Sequence, residues 1–199
     1  MTHKYINKRK IILASSSPRR SQLLEESGIW FESVSLEFDE SFPEDLHPAM
    51  VAAHIATEKC RMANGLIRED HILLTADSVV VLGDKIFNKP QNEKDAYRML
   101  ATFSGKTHRV FTGVCLKDSE LEISFTGHSS VSFREFTDAE IRWYIERYQP
   151  FDKAGSYAVQ EWIGLCKISN IEGTFANIMG LPTDLVYEGL KHFKGAIHE

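Results

Sequence analysis

Residues 11–24 read I-I-L-A-S-S-S-P-R-R-S-Q-L-L. An apolar run, Ile11 to Ala14, gives way to serines, a proline and two arginines, and then to a helical pattern carrying Leu23 and Leu24. The spacing predicts a strand, a tight loop and a helix start. Ser17 suits the N-cap, and Pro18 suits the first turn, where its missing N–H costs nothing. A helix N-terminus presents unpaired N–H groups and a partial positive charge, so it accommodates an anion. The dipole alone favours acids in that turn, yet Arg19 and Arg20 stand there. Two cations in that position point to a negatively charged partner, most simply a phosphate. The plain alternative is an ordinary helix cap with both arginines in water.

Moving outward, Gly28 stops the helix, and 30–36 reads as a second strand running into Glu37, Phe38, Asp39 and Glu40 before a loop with Pro43. Acids at a strand end can hold a divalent metal, although such clusters are more often a solvated loop. Residues 48–67 read as a long helix with Ala52, Ile55, Ala56, Ala63 and Leu66 on one stripe, and Lys59 falls inside that stripe. A lysine facing a core needs a polar partner, or must snorkel past the stripe to water. Residues 71–76 form a buried-type strand followed at once by Asp77. Residues 78–82 continue it, Gly83-Asp84 turns a hairpin, and 85–87 return. Asp77 therefore lies between apolar neighbours and needs a cation, a metal or backbone N–H groups. A structural, hydrogen-bonded aspartate is the alternative. Lys89 precedes Pro90, which biases it to an extended backbone.

Asn92 caps the next helix, which carries Ala96, Met99, Leu100 and Phe103 inward and ends at Gly105. Residues 107–116 read as a strand. Residues 121–133 alternate cleanly, with Leu121, Ile123, Phe125, Val131 and Phe133 on one face, which predicts a long antiparallel strand with one wet face. His108 and His128 read as surface strand residues. Thr137 and Glu140 form a capping box that turns Ile141, Tyr144 and Ile145 inward. Then come a polar loop at 151–160 holding Lys153, a final strand at 162–171, a turn at 177–182 and a last helix at 183–192. Strands alternate with helices early and a long antiparallel pair follows, so a mixed-sheet α/β protein is expected.

The chain has 199 residues, 43% of them hydrophobic, which suits one domain or two small lobes sharing a core. Net charge is −5 and the basic residues form no long run, which argues against a nucleic-acid partner. The three cysteines make no C-x-x-C pair, so neither a zinc site nor a disulfide framework is expected, and a reducing cytoplasm fits. The basic start is followed by too few apolar residues for a signal peptide, and no run approaches a membrane span. The histidines make no H-E-x-x-H.

The candidate chemistry thus rests on Arg19, Arg20, Lys59, Lys89 and Lys153 with the carboxylates Glu40 and Asp77. Many cations with few acids suit a polyphosphate. A metal on one or two carboxylates would bridge phosphate oxygens, and a carboxylate near the attacking water would serve as general base. The residues alone do not show that these groups converge.

Six motifs add a resemblance. A-S-S-S-P-R-R (14–20), A-D-S-V-V-V (76–81), N-K-P (88–90), S-G-K-T-H-x-V-x-T-G-V (104–114), D-K-A-G-S-Y-x-V-Q (152–160) and I-E-G-T-F-x-N-I-M-G-L-P (171–182) stand in order along nearly the whole chain. Together they resemble the Maf family of nucleoside triphosphate pyrophosphatases. The resemblance implies a single Maf-like domain over 1–199 with a Maf/inosine-triphosphatase-like α/β fold. That fold has an elongated mixed β-sheet flanked by helices and a cleft between two lobes. It implies a cytoplasmic homodimer that hydrolyses a nucleoside triphosphate to the monophosphate and pyrophosphate, in nucleotide-pool sanitising, with a divalent metal, Mg2+ or Mn2+. The family's proton acceptor falls on Asp77 and its metal-associated acid on Glu40. Its phosphate-binding cations fall on Arg19, Lys59, Lys89 and Lys153, and Ser15 and Ser17 lie in its phosphate-facing loop. Substrate choice follows Arg20, the residue after the aspartate (here Ser78) and Gln160; Arg20 and Gln160 are similar to those of members acting on dTTP and UTP, and the third position departs. Ser78 stands where threonine is usual, keeping the hydroxyl and losing a methyl. Glu161 and Trp162 depart from the glycine that commonly follows the glutamine. The alternatives are a methylated-GTP or purine triphosphate pyrophosphatase, or a nucleotide-sensing regulator of cell division.

Overall fold

β1 (Ile11–Ala14) is buried along its whole length and pairs in parallel with β2 (Phe31–Val34) and β3 (Ile72–Leu82). Parallel neighbours need crossovers, which α1 (Pro18–Glu26) and α2 (Pro48–Met62) supply. A hairpin at Gly83 returns the chain as β4 (Lys85–Phe87), antiparallel to the end of β3. Then follow α3 (Glu93–Phe103), the long strands β5 (Thr107–Lys117) and β6 (Glu122–Phe133), α4 (Asp138–Tyr148), α5 (Trp162–Lys167), β7 (Ile168–Glu172), α6 (Phe175–Met179) and α7 (Thr183–Leu190). The result is a mixed seven-stranded sheet in the order β2-β1-β3-β5-β6-β7, with β4 beside β3, and helices flanking it. This is the expected α/β class. The structure is a computed structural model that describes residues 4–38 and 40–198. Asp39, part of the acidic stretch singled out above, lies outside the described residues.

The chain divides into two compact units, and the division falls inside β3, β5 and β6. The first unit comprises Met1–Asp77, Thr112–Gly127 and Gly180–Glu199. Ile12, Ala14, Cys60, Ala63, Leu73 and Cys115 form a buried cluster within it. Two features seat α2 against the strands. The Thr75 hydroxyl donates to the Ala56 carbonyl at 2.7 Å. At Gly113 a Cβ would stand 2.3 Å from the backbone of Ala52 and Ala53, so only glycine permits that approach. α2 stops at Met62 and tightens into a 3₁₀ turn, Ala63–Leu66, rather than running to 67. Asn64 and Gly65 are poor helix formers. Arg9 ties the ends of this unit together, bonding Asp118 at 2.8 Å and the His71 carbonyl at 2.9 Å.

The second unit comprises Ser78–Phe111 and His128–Met179. Phe87, Leu100, Phe103, Val110, Val131, Phe133, Tyr144 and Tyr157 belong to its core. Asn92 caps α3 through Asp95 N, and the Thr137–Glu140 capping box opens α4, both as the sequence predicts. Four expectations change here, the first being the turn at 177–182, whose opening residues belong to the short helix α6. Residues 162–167 form α5 and only 168–172 a strand: a short apolar run fits either period, and at Gly164 a Cβ would stand 1.8 Å from the Val159 carbonyl oxygen. The loop at 151–160 contains two 3₁₀ turns and is largely buried. His128 is exposed as expected, but His108 is not a surface residue: it is 1% exposed. Its Nε2 meets the Tyr157 hydroxyl at 2.7 Å, and Phe103 and Phe133 lie against its ring. The neutral imidazole packs among aromatic rings with Nε2 paired, while its Nδ1 is buried without a hydrogen-bond partner among the described residues.

Candidate functional site

In the first unit, separate stretches of chain meet at Asp77. Asp77 stands two residues beyond Thr75 on β3, hence on the same strand face. Lys59 stands one helical turn beyond Ala56, the Thr75 partner on α2. The seating of α2 therefore delivers Lys59 to Asp77. Lys59 Nζ donates to Asp77 Oδ1 at 2.7 Å and to Glu40 Oε1 at 2.8 Å, with the Phe38 ring 5.7 Å below. The Lys59 and Asp77 side chains are 13% and 11% exposed, whereas Glu40 is 45% exposed. The lysine in the apolar stripe is thus paired, not snorkelled.

The β1–α1 loop stands by the same carboxylates. Ser17 occupies the N-cap position, but its hydroxyl makes no capping bond, contrary to expectation. Its backbone N–H donates to Ser15 Oγ at 3.2 Å, and that oxygen also accepts from Arg20 Nη1 at 3.2 Å. Ser15 thus gathers the polar groups of the turn. Arg20 Nε donates to the Gly180 carbonyl at 2.9 Å. Burial draws the Arg20 guanidinium below its ordinary pKa; the Asp77 charge opposes this, Arg19 adds to it and Glu40 opposes it. These charges therefore share one electrostatic environment.

In the second unit, the Gly155 N–H donates to the Asn88 carbonyl at 3.2 Å, which joins the segment carrying Lys89 to the segment carrying Lys153. Gly155 has φ +71°, and a Cβ there would stand 3.1 Å from Val80 Cγ1. Half-buried Ser78 lies on the Val80 face of the strand. Lys89 is exposed and Lys153 is buried. Lys153 Nζ bonds Asp152 Oδ1 at 2.8 Å and lies 3.4 Å from Glu161 Oε1. The Tyr144 hydroxyl donates to the other Glu161 oxygen, and burial together with that carboxylate pushes the phenol pKa up. Gln160 Oε1 is buried with no hydrogen-bond partner among the described residues.

Three contributors lie beyond the sequence reading. Gly113 sits in a quoted motif, but only packing shows what its missing side chain permits. Gly180 acts through its carbonyl, which no side-chain pattern reveals. Glu161 is visible only as a departure from the family pattern, and its Lys153 and Tyr144 partners are distant in sequence.

As a metal site, Glu40 and Asp77 are two hard oxygen donors converging on one ammonium. No group of three or more His, Cys, Asp or Glu side chains clusters among the described residues. That donor set fits Mg2+ or Mn2+, which keep several waters and take substrate phosphate oxygens, and does not suit a closed structural site.

A family model described as Maf-like protein matches residues 10–193. The chain belongs to the Maf family. A Maf relative from Bacteroides thetaiotaomicron, named dTTP/UTP pyrophosphatase, is 44% identical over 94% of this chain and 97% of its own. One from Porphyromonas gingivalis with the same name is also 44% identical, covering 94% of this chain and 96% of its own. Among solved structures, the Staphylococcus aureus Ham1 protein covers 63% of this Maf chain and 72% of its own at 10% identity, with a TM-score of 0.44. No helix among the described residues of this Maf chain is long and apolar enough to cross a membrane.

Proposed function

We propose that this chain hydrolyses dTTP and UTP to the nucleoside monophosphate and pyrophosphate, and so removes pyrimidine triphosphates from the nucleotide pool. The observation that carries the reading is Lys59 held between Asp77 and Glu40 beside the Arg20 charge, in a chain with full-length relatives named dTTP/UTP pyrophosphatase.

In this reaction water attacks the α-phosphorus, the bond from that phosphorus to the α–β bridging oxygen breaks, and pyrophosphate leaves with the bonding pair. Asp77, on the buried strand β3, is assigned to orient the water and take its proton. Arg19, Arg20 and Lys59 neutralise the non-bridging oxygens, whose charge grows in the transition state. Ser15 and Ser17 face the phosphates at the positive end of α1. Lys89 and Lys153 are assigned to the departing pyrophosphate. Gln160, Arg20 and Ser78 are assigned to the base: uracil and thymine carry an N3–H, which the unmet Gln160 acceptor complements. A divalent ion on Glu40 and Asp77 would add phosphate neutralisation and a lowered water pKa. We further assign the chain to the cytoplasm, where its free cysteines stay reduced, as a homodimer whose partner is the nucleotide and neither nucleic acid nor membrane.

The test is a panel of nucleoside triphosphates with Mg2+ or Mn2+, read by pyrophosphate release. dTTP and UTP are expected to turn over fastest. Inertness toward the whole panel, or a preference for purines, overturns the reading.

A further inference from the structure

We infer that Lys59 is the resident cation of the Glu40–Asp77 pair, so the free protein binds a divalent ion weakly and takes it up only together with the substrate's phosphates. The inference rests on the proposed pyrophosphatase reading and deepens it into an order of binding.

The argument begins with position. Lys59 Nζ bonds one oxygen from each carboxylate, at 2.7 and 2.8 Å, and so stands where a shared metal ion would draw its ligands. The Lys59 and Asp77 side chains are almost out of water, so their attraction is weakly screened. Charge comes next. Glu40 and Asp77 supply two negative charges, and Lys59 and Arg20 return two positive ones. Arg19, whose charge is felt at Arg20, adds another. Among these named side chains the sum is not negative, and Lys59 already answers much of the pull that the two carboxylates would exert on a dication.

A triphosphate reverses the balance. Its oxygens compete for the ammonium, and the flexible lysine stem allows Nζ to move to them without moving α2. Each carboxylate then loses a donor at the moment when a phosphate-bound ion arrives to replace it. The two acids respond differently. Asp77 is fixed in β3, whereas Glu40 is largely open and lies between elements, so Glu40 is the ligand free to adjust. Nothing covalent changes: an ammonium and a metal ion exchange places on the same oxygens.

The experiment measures protein-bound Mn2+ by water-proton relaxation, with and without a non-hydrolysable UTP analogue. In the wild type the analogue is expected to tighten Mn2+ binding by about tenfold or more. Lys59→Met is expected to tighten nucleotide-free binding by about tenfold, while Lys59→Arg keeps it as weak as in the wild type. Equal Mn2+ affinity with and without the analogue in the wild type overturns the inference, and this comparison needs no variant to fold. So does a folded Lys59→Met protein whose nucleotide-free affinity is unchanged or lower. Normal dTTP hydrolysis alongside tight nucleotide-free Mn2+ binding defeats this inference alone. Failure to hydrolyse any triphosphate defeats the proposed function and this inference with it.

Discussion

Asp77 on β3 and His108 on β5 are both withdrawn from water, but they are partnered in different ways. Asp77 meets an ammonium that it shares with the half-open Glu40, in the field of an arginine. His108 meets one tyrosine hydroxyl among phenylalanine rings, and burial drives its pKa down to about 3, so it stays neutral. A buried ion pair is weak evidence for stability, because desolvation offsets most of the attraction. Neutral His108 escapes the cost of burying a charge, although its Nδ1 is buried without a hydrogen-bond partner among the described residues, which carries a smaller penalty of its own. The contrast separates polar groups kept for chemistry from polar groups kept for packing.

The widest separation between the two regions is expected from Asp77→Asn. Loss of the proton acceptor should lower kcat by about a thousandfold, with the melting temperature little changed because Lys59 retains Glu40. His108→Phe should leave kcat near wild type. A reversal of those two results breaks the comparison.

Next in size is Gly113→Ala. The added methyl would meet backbone, which cannot rotate away as a side chain can. We expect a loss of about 3 kcal/mol in denaturant unfolding. Activity should fall with it, because α2 carries Lys59 to Asp77. A variant of wild-type stability would show that the α2 seat is not what places the lysine.

The His108 region should declare itself through pH. Its folded pKa, about 3, lies below the ordinary 6.5, so the unfolded chain takes up a proton between those values and the folded chain does not. Stability is therefore full above pH 6.5 and lost as pH falls toward 3, by about 1.4 kcal/mol per unit, or about 2 kcal/mol by pH 5. Unfolding curves of wild type and His108→Phe should converge in the acid. Parallel pH profiles would mean that His108 is not held neutral.

The two regions also differ in how far the sequence disclosed them. Asp77 announced itself as an acid between valines and leucines, and Lys59 as a cation on an apolar stripe; each anomaly found its partner in the other. His108 gave no such signal, since alternation along β5 does not tell a wet face from one covered by Tyr157. Capping chemistry made the starts of α3 and α4 legible, because the deciding bonds are local. The sequence reads as strand through α5 because its six residues contain no local signal strong enough to outweigh an apolar run. The Ser17 cap is the opposite case: the residue type is right, yet its hydroxyl makes no capping bond, which residue type alone does not reveal.

The smallest effect sharpens the comparison at a third buried polar group, Lys153. It has two acidic neighbours, and they are not equivalent. The Asp152 side chain is 62% exposed and screened by water, whereas Glu161 is 16% exposed and fixed by the Tyr144 hydroxyl. Glu161 is therefore the stronger competitor for a phosphate at Lys153. Glu161→Gln keeps an acceptor for Tyr144 and removes the competing charge. KM for dTTP should fall by about threefold with kcat and melting temperature held. Glu161→Gly should lower KM similarly but also destabilise by about 1–2 kcal/mol, because the buried Tyr144 hydroxyl then donates to nothing. If KM rises in the glutamine variant instead, Glu161 holds Lys153 in its working position, and Lys153 belongs with Asp77 as an ion kept for chemistry by its partner.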